Sequence, residues 1–216
     1  MIELINITKK YNNKVILNNI SLSIKQEEYI AIIGQSGAGK STLMNIIGTL
    51  DNEFEGDYYF ENTKLTKSKE INNYRNSKIG FIFQQYNLVS NLSSFENILL
   101  PYVFCADKIP GINDRIDSLL DRFNLLEQKN QIINTLSGGE QQRIALVRSI
   151  VLNPDIIIAD EPTGNLDKKN SEVIQNFLFD MNSSGKTIII VTHDLELAKK
   201  SKRTYLISGG SISESI

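Results

Sequence analysis

The chain has 216 residues, of which 41% are hydrophobic and 22% are charged, proportions typical of a globular protein with its own core. The formal net charge of −2 does not support general binding of nucleic acids or other polyanions, and the single cysteine excludes an internal disulfide framework. The longest apolar runs fall far short of the roughly 20 residues of a membrane helix, and the N-terminus lacks a signal-peptide pattern.

The first third of the chain has the pattern of strands followed by one helix. The segments IELINITKKY and ISLSIKQEEYIAIIG alternate or run apolar, and asparagines at positions 12, 13, 18 and 19 predict turns between them. Apolar residues at helical spacing follow from Leu43 to Leu50. The segments GDYYFEN and IGFIFQ predict further strands.

The rest of the chain predicts helices and then a second set of strands. Residues from about Ser94 to Val151 have helical periodicity, and Asn153-Pro154 ends that pattern. A strand DIIIAD, an amphipathic helix, a strand TIIIVT, a short helix and a hairpin at Gly209-Gly210 follow. Fully apolar strands that alternate with helices indicate an α/β fold with a parallel sheet covered on both faces. We expect one domain, with a core at 1–87 and 152–216 that includes an N-terminal antiparallel β subdomain, and a helical subdomain inserted at 88–151.

The segment GQSGAGKST lies between the apolar strand YIAII and the amphipathic helix, which is the context of a phosphate-binding loop. Glycines allow backbone N–H groups to curl around phosphate oxygens, and the helix N-terminus adds unsatisfied donors. We expect Lys40 to reach the β- and γ-phosphates and the Ser41 hydroxyl to bind Mg²⁺. A plain glycine turn is the alternative. The candidate nucleotide-binding residues here are Gly34, Gln35, Ser36, Gly37, Ala38, Gly39, Lys40, Ser41 and Thr42.

Two carboxylates, Asp160 and Glu161, end the strand DIIIAD, and open α/β sheets bind ligands at that end. Because adjacent strand residues point to opposite faces, we expect the two carboxylates to do different jobs. Asp160 is the candidate for holding Mg²⁺ through water, and Glu161 for orienting the water that attacks the γ-phosphate. Two acids that cap a strand at the surface are the alternative.

The single histidine, His193, directly follows the strand TIIIVT and is therefore expected at the same edge of the sheet. From there its imidazole could hydrogen-bond the γ-phosphate or the attacking water. A purely structural histidine is the alternative.

Four segments, in the order GQSGAGKST, LSGGEQQR, IIIADEPTGNLD and VTHD, resemble the motifs of the nucleotide-binding subunit of ABC transporters. The resemblance covers essentially the whole chain, and LSGGEQQR is its most specific part. It implies a P-loop NTPase core, ATP and Mg²⁺ as cofactors, and ATPase activity. It further implies that Ser137, Gly138 and Gly139 contact the γ-phosphate held by a partner subunit.

The resemblance assigns three further residues. Gln84 matches the loop glutamine that senses Mg²⁺ and meets the membrane subunit, with Gln85 beside it as the alternative. Tyr11 matches the aromatic residue that stacks on adenine, and Asp167 matches the loop that links two active sites; an edge-strand aromatic and a helix N-cap are the respective alternatives. The catalytic candidates are then Lys40, Gln84, Glu161 and His193, and the candidate metal ligands are Ser41, Gln84 and Asp160.

Two helix N-termini in this chain suit phosphate, one at Gly39-Lys40-Ser41 and one at Ser137-Gly138-Gly139, but there is one acid pair. This arrangement makes sense if each ATP lies between two chains, which is how the resembling family works. We therefore expect an ATP-dependent dimer with an identical or similar ATPase subunit.

The resemblance also implies an integral membrane permease as partner and a peripheral position at the cytoplasmic face of the membrane. The apolar segment around positions 85–104 predicts an exposed groove for a short permease helix, although burial in the helical core is the alternative. The candidate groove residues are Tyr86, Leu88, Val89, Leu92, Phe95, Leu100, Tyr102 and Phe104.

Within the family, ADEPTGNLD and the short length resemble the branch of lipoprotein-release, macrolide-export and antimicrobial-peptide-export ATPases. The cargo is then a peptide, a lipoprotein or a drug, and a regulator of cell-wall or division machinery without transport is the main alternative. A nucleic-acid repair ATPase would need a long insertion or a zinc module between Lys40 and Ser137. A small-molecule kinase would leave LSGGEQQR unexplained, and a binding-only module would not need both Glu161 and His193.

Overall fold

The computed structural model describes residues 1–65, 68–105, 108–164, 166 and 168–215. The strands in these ranges are β1 (Ile2–Tyr11), β2 (Lys14–Ile24), β3 (Tyr29–Ile33), β4 (Glu55–Phe60), β5 (Thr63–Lys64), β6 (Ile79–Ile82), β7 (Ile156–Asp160), β8 (Thr187–Thr192), β9 (Arg203–Ser208) and β10 (Ser211–Ser215). The α-helices are α1 (Lys40–Ile47), α2 (Ser68–Lys78), α3 (Ser94–Val103), α4 (Ile112–Arg122), α5 (Gly138–Ile150), α6 (Lys168–Ser183) and α7 (Leu195–Ala198), and two 3-10 turns lie at Leu126–Gln128 and Ile133–Thr135.

The first sheet is antiparallel and four-stranded, with the order β2-β1-β4-β5. Alternating residues of β1 face the core, so that Ile2 and Leu4 are buried while Glu3 is exposed. Ile2 pairs with Ile24 on one side and with Phe60 on the other, which places β1 inside the sheet. The N-terminal antiparallel subdomain is therefore present as predicted.

The turns of this sheet match the sequence-based expectation only in part. Asn12 and Asn13 form the turn between β1 and β2, with left-handed φ values of 46° and 65°. The turn predicted at positions 18 and 19 is wrong, because β2 continues through both residues. The register against β1 shifts there, and Asn19 adopts a φ of 53°, so these asparagines form a bulge within the strand. A later turn at residues 26–27 divides ISLSIKQEEYIAIIG between the two sheets.

The second sheet has six strands in the order β10-β9-β3-β8-β7-β6. All neighbouring strands from β9 to β6 run parallel, and β10 pairs with β9 as an antiparallel hairpin. Every residue of β8 is buried, because helices or the first sheet cover both faces. The predicted parallel core explains why these strands are continuously apolar rather than alternating.

The carboxyl ends of three core strands lie side by side. Ile33 at the end of β3 is paired with Thr192 at the end of β8, and Asp160 at the end of β7 is paired with Val191. The loop before α1, the residues after β7 and the residues after β8 therefore meet at one edge of the sheet.

A helical layer built mainly from α3, α4 and α5 has its own apolar cluster, which includes Ile98, Ile116, Leu120, Ile144 and Val147. Pro101 lies in the last turn of α3. The division at residues 88 and 151 remains a prediction. Among the described residues, every helix is too short or too polar to cross a bilayer.

Candidate functional site

The loop between β3 and α1 has the backbone of a phosphate cradle. Gly37 and Gly39 adopt φ values of 76° and 103°, a region that favours glycine. Gly39 is the N-cap of α1 and supplies no side-chain cap, so the first N–H groups of this helix are open to an anion. The Lys40 ammonium group donates to the carbonyl oxygens of Gly34 at 2.9 Å and Gln35 at 3.1 Å, which holds it against the loop.

This loop forms one wall of a cavity of about 670 Å³ at the carboxyl edge of the parallel sheet. Most of the residues that the sequence predicted for a nucleotide site come together here. The lining residues are Tyr11, Ile16, Gly34, Gln35, Ser36, Gly37, Gly39, Lys40, Ser41, Thr42, Gln84, Asp160, Glu161 and His193. Of the two candidate glutamines, Gln84 lines the cavity and Gln85 does not.

Three groups of predicted residues lie elsewhere. Ala38 packs against the apolar core beneath the loop rather than lining the cavity. The residues 137–139 belong to α5 and its N-cap and do not line the cavity. Asp167 lies outside the described residues.

Asp160 is the last residue of β7 and is partly buried. Burial raises the pKa of its carboxyl, the negative charge of Glu161 raises it further, and the nearby Lys40 ammonium lowers it. Asp160 therefore carries an electrostatic penalty that a bound cation would relieve.

Glu161 departs from the geometry expected of a strand. It follows the end of β7 and adopts a left-handed φ of 44°, so the alternation of side chains stops at Asp160. Both carboxylates line the same cavity, and the strand alternation on which their expected separation rested does not extend to Glu161. Their different environments still support different roles, because the two carboxylates have different partners.

The carboxylate of Glu161 is held by the end of β8. Its Oε2 atom accepts a hydrogen bond of 3.0 Å from the Thr192 hydroxyl, and its Oε1 atom lies 2.8 Å from Nδ1 of His193. The imidazole is exposed while the Glu161 side chain is largely covered. Sequence reasoning missed Thr192, although a threonine that ends a buried strand directly before the histidine was a usable signal.

Ser137 begins α5 with a capping box. Its hydroxyl accepts from the Glu140 N–H and donates to the Glu140 carboxylate, while the Ser137 N–H donates to that carboxylate at 2.8 Å. A Cβ added to Gly138 would meet no atom within 4 Å, so packing inside this chain does not require glycine there. The absence of side chains at 138 and 139 leaves this helix N-terminus open to a ligand from outside the chain.

The cavity fits a magnesium ion held jointly with a phosphate. The Ser41 hydroxyl, the Gln84 amide and the Asp160 carboxylate all line it, and oxygen atoms are the ligands that Mg²⁺ prefers. Within the described ranges, no group of three or more His, Cys, Asp or Glu residues could hold a metal by itself. Mg²⁺ commonly takes one or two protein ligands and completes its shell with phosphate and water, which agrees with this donor set.

A second cavity, of about 480 Å³, lies between the parallel core and the helical layer. Leu100 and Phe104 of the predicted groove line it, together with Leu50, Phe81, Phe83 and Pro101. The Phe104 side chain is 70% exposed, and none of the eight predicted groove residues is fully buried. Leu88, Phe95 and Tyr102 instead pack against the helical cluster. Two of the eight candidate residues therefore line an exposed cavity, and its role as a groove for a permease helix stays a prediction.

The fold and the cavity together define a P-loop nucleotide-binding domain with an inserted helical layer. Residues 17–164 match the ABC transporter family, and the chain belongs to that family. The predicted fold class is confirmed by the dimeric structure of MJ0796, a bacterial ABC transporter cassette, which has a TM-score of 0.90, 40% identity, and coverage of 100% of this chain and 98% of that chain.

Curated relatives include the macrolide export ATP-binding/permease protein MacB of Campylobacter jejuni, 44% identical over 98% of this chain and 33% of the relative. The chain thus spans about a third of the length of the MacB relatives it matches. MJ0796 of Methanocaldococcus jannaschii, an uncharacterized ABC transporter ATP-binding protein, is 40% identical over 98% of this chain and 95% of its own length. The predicted relation to the macrolide-export branch is confirmed.

Proposed function

We propose that this chain is the ATP-binding and ATP-hydrolysing subunit that powers a membrane ABC transporter. One observation carries the proposal: the phosphate loop, Gln84, both carboxylates and His193 line a single cavity. A related cassette, MJ0796, has been solved in a post-hydrolysis state bound to ADP and Pi, with a TM-score of 0.89 and 39% identity to this chain.

The side chains divide the work of hydrolysis. The open N–H groups of α1 and the Lys40 ammonium bind and orient the phosphates, while Ser41, Gln84 and Asp160 would hold Mg²⁺. When bound, Mg²⁺ would neutralise charge that develops on the phosphate oxygens. Glu161 orients the attacking water and draws off its proton, and His193 fixes the carboxylate and contacts the γ-phosphate.

The ATP site is completed by a second chain. Ser137, Gly138 and Gly139 present an open helix N-terminus, yet these residues do not line the cavity of their own chain. A second copy, or a similar ATPase subunit, would bring this N-terminus to the γ-phosphate, and ATP would then hold the two chains together. Asp167, which lies outside the described residues, is proposed to link the two sites.

The exposed groove around Phe104 is proposed to receive a short helix of an integral membrane permease, which would place the chain at the cytoplasmic face of the membrane. The relation to MacB favours export or extraction of a drug, peptide or lipoprotein as the process that is powered. A Phe104→Glu exchange puts a charge into this groove, so we expect it to prevent co-purification of the chain with its permease.

The decisive experiment is sizing of a Glu161→Gln variant by light scattering with and without ATP. We expect a monomer that becomes a dimer with ATP, and a Ser137→Ala exchange in that background should abolish the dimer. Ser93 caps α3 with the same capping box, so Ser93→Ala loses an equivalent cap and should leave the dimer intact.

Two results would count against the proposal: a monomer at all ATP concentrations, or equal loss of the dimer in both serine variants. Lys40→Ala tests nucleotide binding separately, because it should abolish the affinity for ATP without changing the fold.

A further inference from the structure

Lys9 is almost fully buried, with 3% of its surface exposed, although it lies beside the cavity wall at the end of β1. Its ammonium group donates to Oδ1 of Asp51 at 2.8 Å and to the carbonyl oxygen of Glu53 at 2.5 Å. A buried ion pair is weak evidence for stability, because apolar residues of similar volume often stabilise a fold as well or better. The contacts of this pair therefore suggest another purpose.

The second oxygen of the same carboxylate holds Tyr11. The Tyr11 hydroxyl donates to Oδ2 of Asp51 at 2.8 Å, while the Lys9 ammonium lies 4.8 Å from the centroid of the Tyr11 ring. A hydrogen bond thus holds the Tyr11 hydroxyl, and a cation–π contact with Lys9 covers one face of the ring. It is 46% exposed and lines the nucleotide cavity, so the ring is presented to that cavity in a restrained orientation.

The hydrogen bonds of Asp51 connect β1, the strand that carries Tyr11, to the segment that follows α1. Lys9 and Tyr11 share one face of β1, and Asp51 follows the C-terminal end of α1, where its N–H donates to the Asn45 carbonyl at 3.1 Å. The helix α1 begins at Lys40 in the phosphate loop. The position of the Tyr11 ring is therefore coupled to the element that binds the phosphates.

The ionisation of these groups agrees with a fixed network. Burial raises the pKa of Asp51, but hydrogen bonds from Lys9, Tyr11 and the Glu53 N–H outweigh it, and the net pKa is lowered. The hydrogen bond to Asp51 raises the pKa of the Tyr11 phenol. The carboxylate and the phenol therefore keep the charge states that their hydrogen bond requires.

We propose that Asp51 and Lys9 are positioning residues that hold the Tyr11 ring for stacking on the base of the bound nucleotide. The inference rests on the proposed function, since it needs a nucleotide in this cavity. Binding normally has to immobilise an exposed aromatic side chain, and a ring that is already restrained avoids that entropic cost. The pair would strengthen binding of the base but not of the phosphates.

Two ligands separate this role from a general loss of structure. We would measure the dissociation constants of ATP and of inorganic tripolyphosphate, which carries phosphates but no base. Asp51→Ala and Tyr11→Phe each remove one partner of the hydrogen bond to the Tyr11 hydroxyl, and we expect either to weaken ATP about 3- to 10-fold while tripolyphosphate binds as before. Tyr11→Ala removes the ring and should weaken ATP at least as much.

The exposed pair formed by Lys10 and Glu55, with a separation of 3.1 Å, supplies a matched control from the same strand. Glu55→Ala should change neither dissociation constant. If Asp51→Ala weakens both ligands equally, or if it leaves ATP binding unchanged, the positioning role is wrong. Retention of ATP binding by Lys40→Ala would instead overturn the proposed function, so the two failures are distinguishable.

Discussion

Nδ1 of His193 lies 2.8 Å from Oε1 of Glu161, across the gap between the ends of β8 and β7. A carboxylate only accepts hydrogen bonds, so the tautomer of His193 that carries its hydrogen on Nδ1 is the one that can donate to Glu161. The Thr192 hydroxyl holds the other oxygen at 3.0 Å. Two consecutive residues of one strand end therefore position a carboxylate that follows a different strand.

This arrangement makes Glu161→Gln the sharpest test of the catalytic assignment. The amide retains the size of the side chain but cannot accept a proton from water, so we expect unchanged ATP affinity and a fall in phosphate release of roughly 10²- to 10⁴-fold. Steady-state phosphate release and a nucleotide-binding titration measure the two effects. Glu196, an exposed residue paired with Lys199, provides the control, and Glu196→Gln should hydrolyse ATP normally. Normal turnover in the Glu161 variant would refute the assignment.

The ionised carboxylate of Asp160 should lower the stability of the nucleotide-free chain, although we propose that the same carboxylate holds Mg²⁺. Its pKa is raised in the folded state by burial and by Glu161, so the folded chain holds this proton more tightly than the unfolded chain does. Stability then falls as pH rises through the window above about 4, the ordinary value for aspartate, and the penalty is complete above the raised pKa. At neutral pH, Asp160→Asn should therefore raise the free energy of unfolding of the nucleotide-free chain by about 1 kcal/mol.

Thermal unfolding at pH 7.5 and at pH 4.5 checks the sign. A gain of about 1 kcal/mol corresponds to a rise in Tm of roughly 2–4 °C for a chain of this size, and the rise should shrink at the lower pH. The variant should also lose Mg²⁺-dependent hydrolysis. A fall in Tm at pH 7.5 would show that Asp160 stabilises the fold.

Two glycines in the phosphate-binding elements should respond differently to alanine. A Cβ at Gly39 would lie 2.9 Å from Cδ2 of Leu17 and 3.2 Å from the Ile16 carbonyl, at a φ of 103°. Gly39→Ala should therefore cost about 1–3 kcal/mol of stability and distort the loop. Gly138 has open space around it, so Gly138→Ala should leave stability unchanged or slightly higher.

The Gly138→Ala methyl group nevertheless projects from the helix N-terminus that we propose for the γ-phosphate of the partner's nucleotide. We expect this variant to bind ATP but to lose the ATP-dependent dimer. Urea unfolding and light scattering together test both statements. A stable Gly138→Ala variant that still forms the ATP-dependent dimer would contradict the proposal that this helix N-terminus binds the γ-phosphate of the partner's nucleotide.

The parallel core and the phosphate loop could be predicted because they depend on local signals. Continuous apolar runs such as TIIIVT need helices or a sheet on both faces, and a glycine-rich loop between a strand and a helix has few other uses. Two local predictions failed because of backbone conformation. Asparagine tolerates the left-handed region in bulges as well as in turns, so Asn19 was assigned to a turn. No sequence pattern indicates that Glu161 adopts the left-handed region, so the strand alternation was extended to it.

The network around Tyr11 could not be predicted for a different reason. Its hydroxyl meets a carboxylate 40 positions away in the sequence, and that partner depends on how β1 lies against the end of α1. A lysine at position 9 in an alternating strand is expected at the surface or the sheet edge, yet it is buried because Asp51 compensates its charge. Such contacts follow from tertiary packing rather than from spacing.

Arg148 provides a last test, because it connects α5 to the loop that carries Gln84. Its guanidinium group donates to the carbonyl oxygens of Asn87 at 2.7 Å and Tyr86 at 2.6 Å, and both of those residues have left-handed φ values, 48° and 58° respectively. Burial lowers the pKa of Arg148, and the two carbonyl oxygens accept hydrogen bonds from the guanidinium group in place of water. Arg148→Met should leave both oxygens without their donor and reduce stability by about 1–3 kcal/mol.

The loss should be concentrated in residues 84–88, which amide hydrogen exchange can resolve. Arg148→Lys keeps the charge but not the planar fork, so it should give an intermediate effect rather than a full rescue. If exchange at residues 84–88 is unchanged in Arg148→Met while global stability falls, Arg148 serves only the packing of α5. If exchange rises there and ATP binds normally, Arg148 is shown to hold the loop that carries Gln84 against α5, the helix that Ser137 caps.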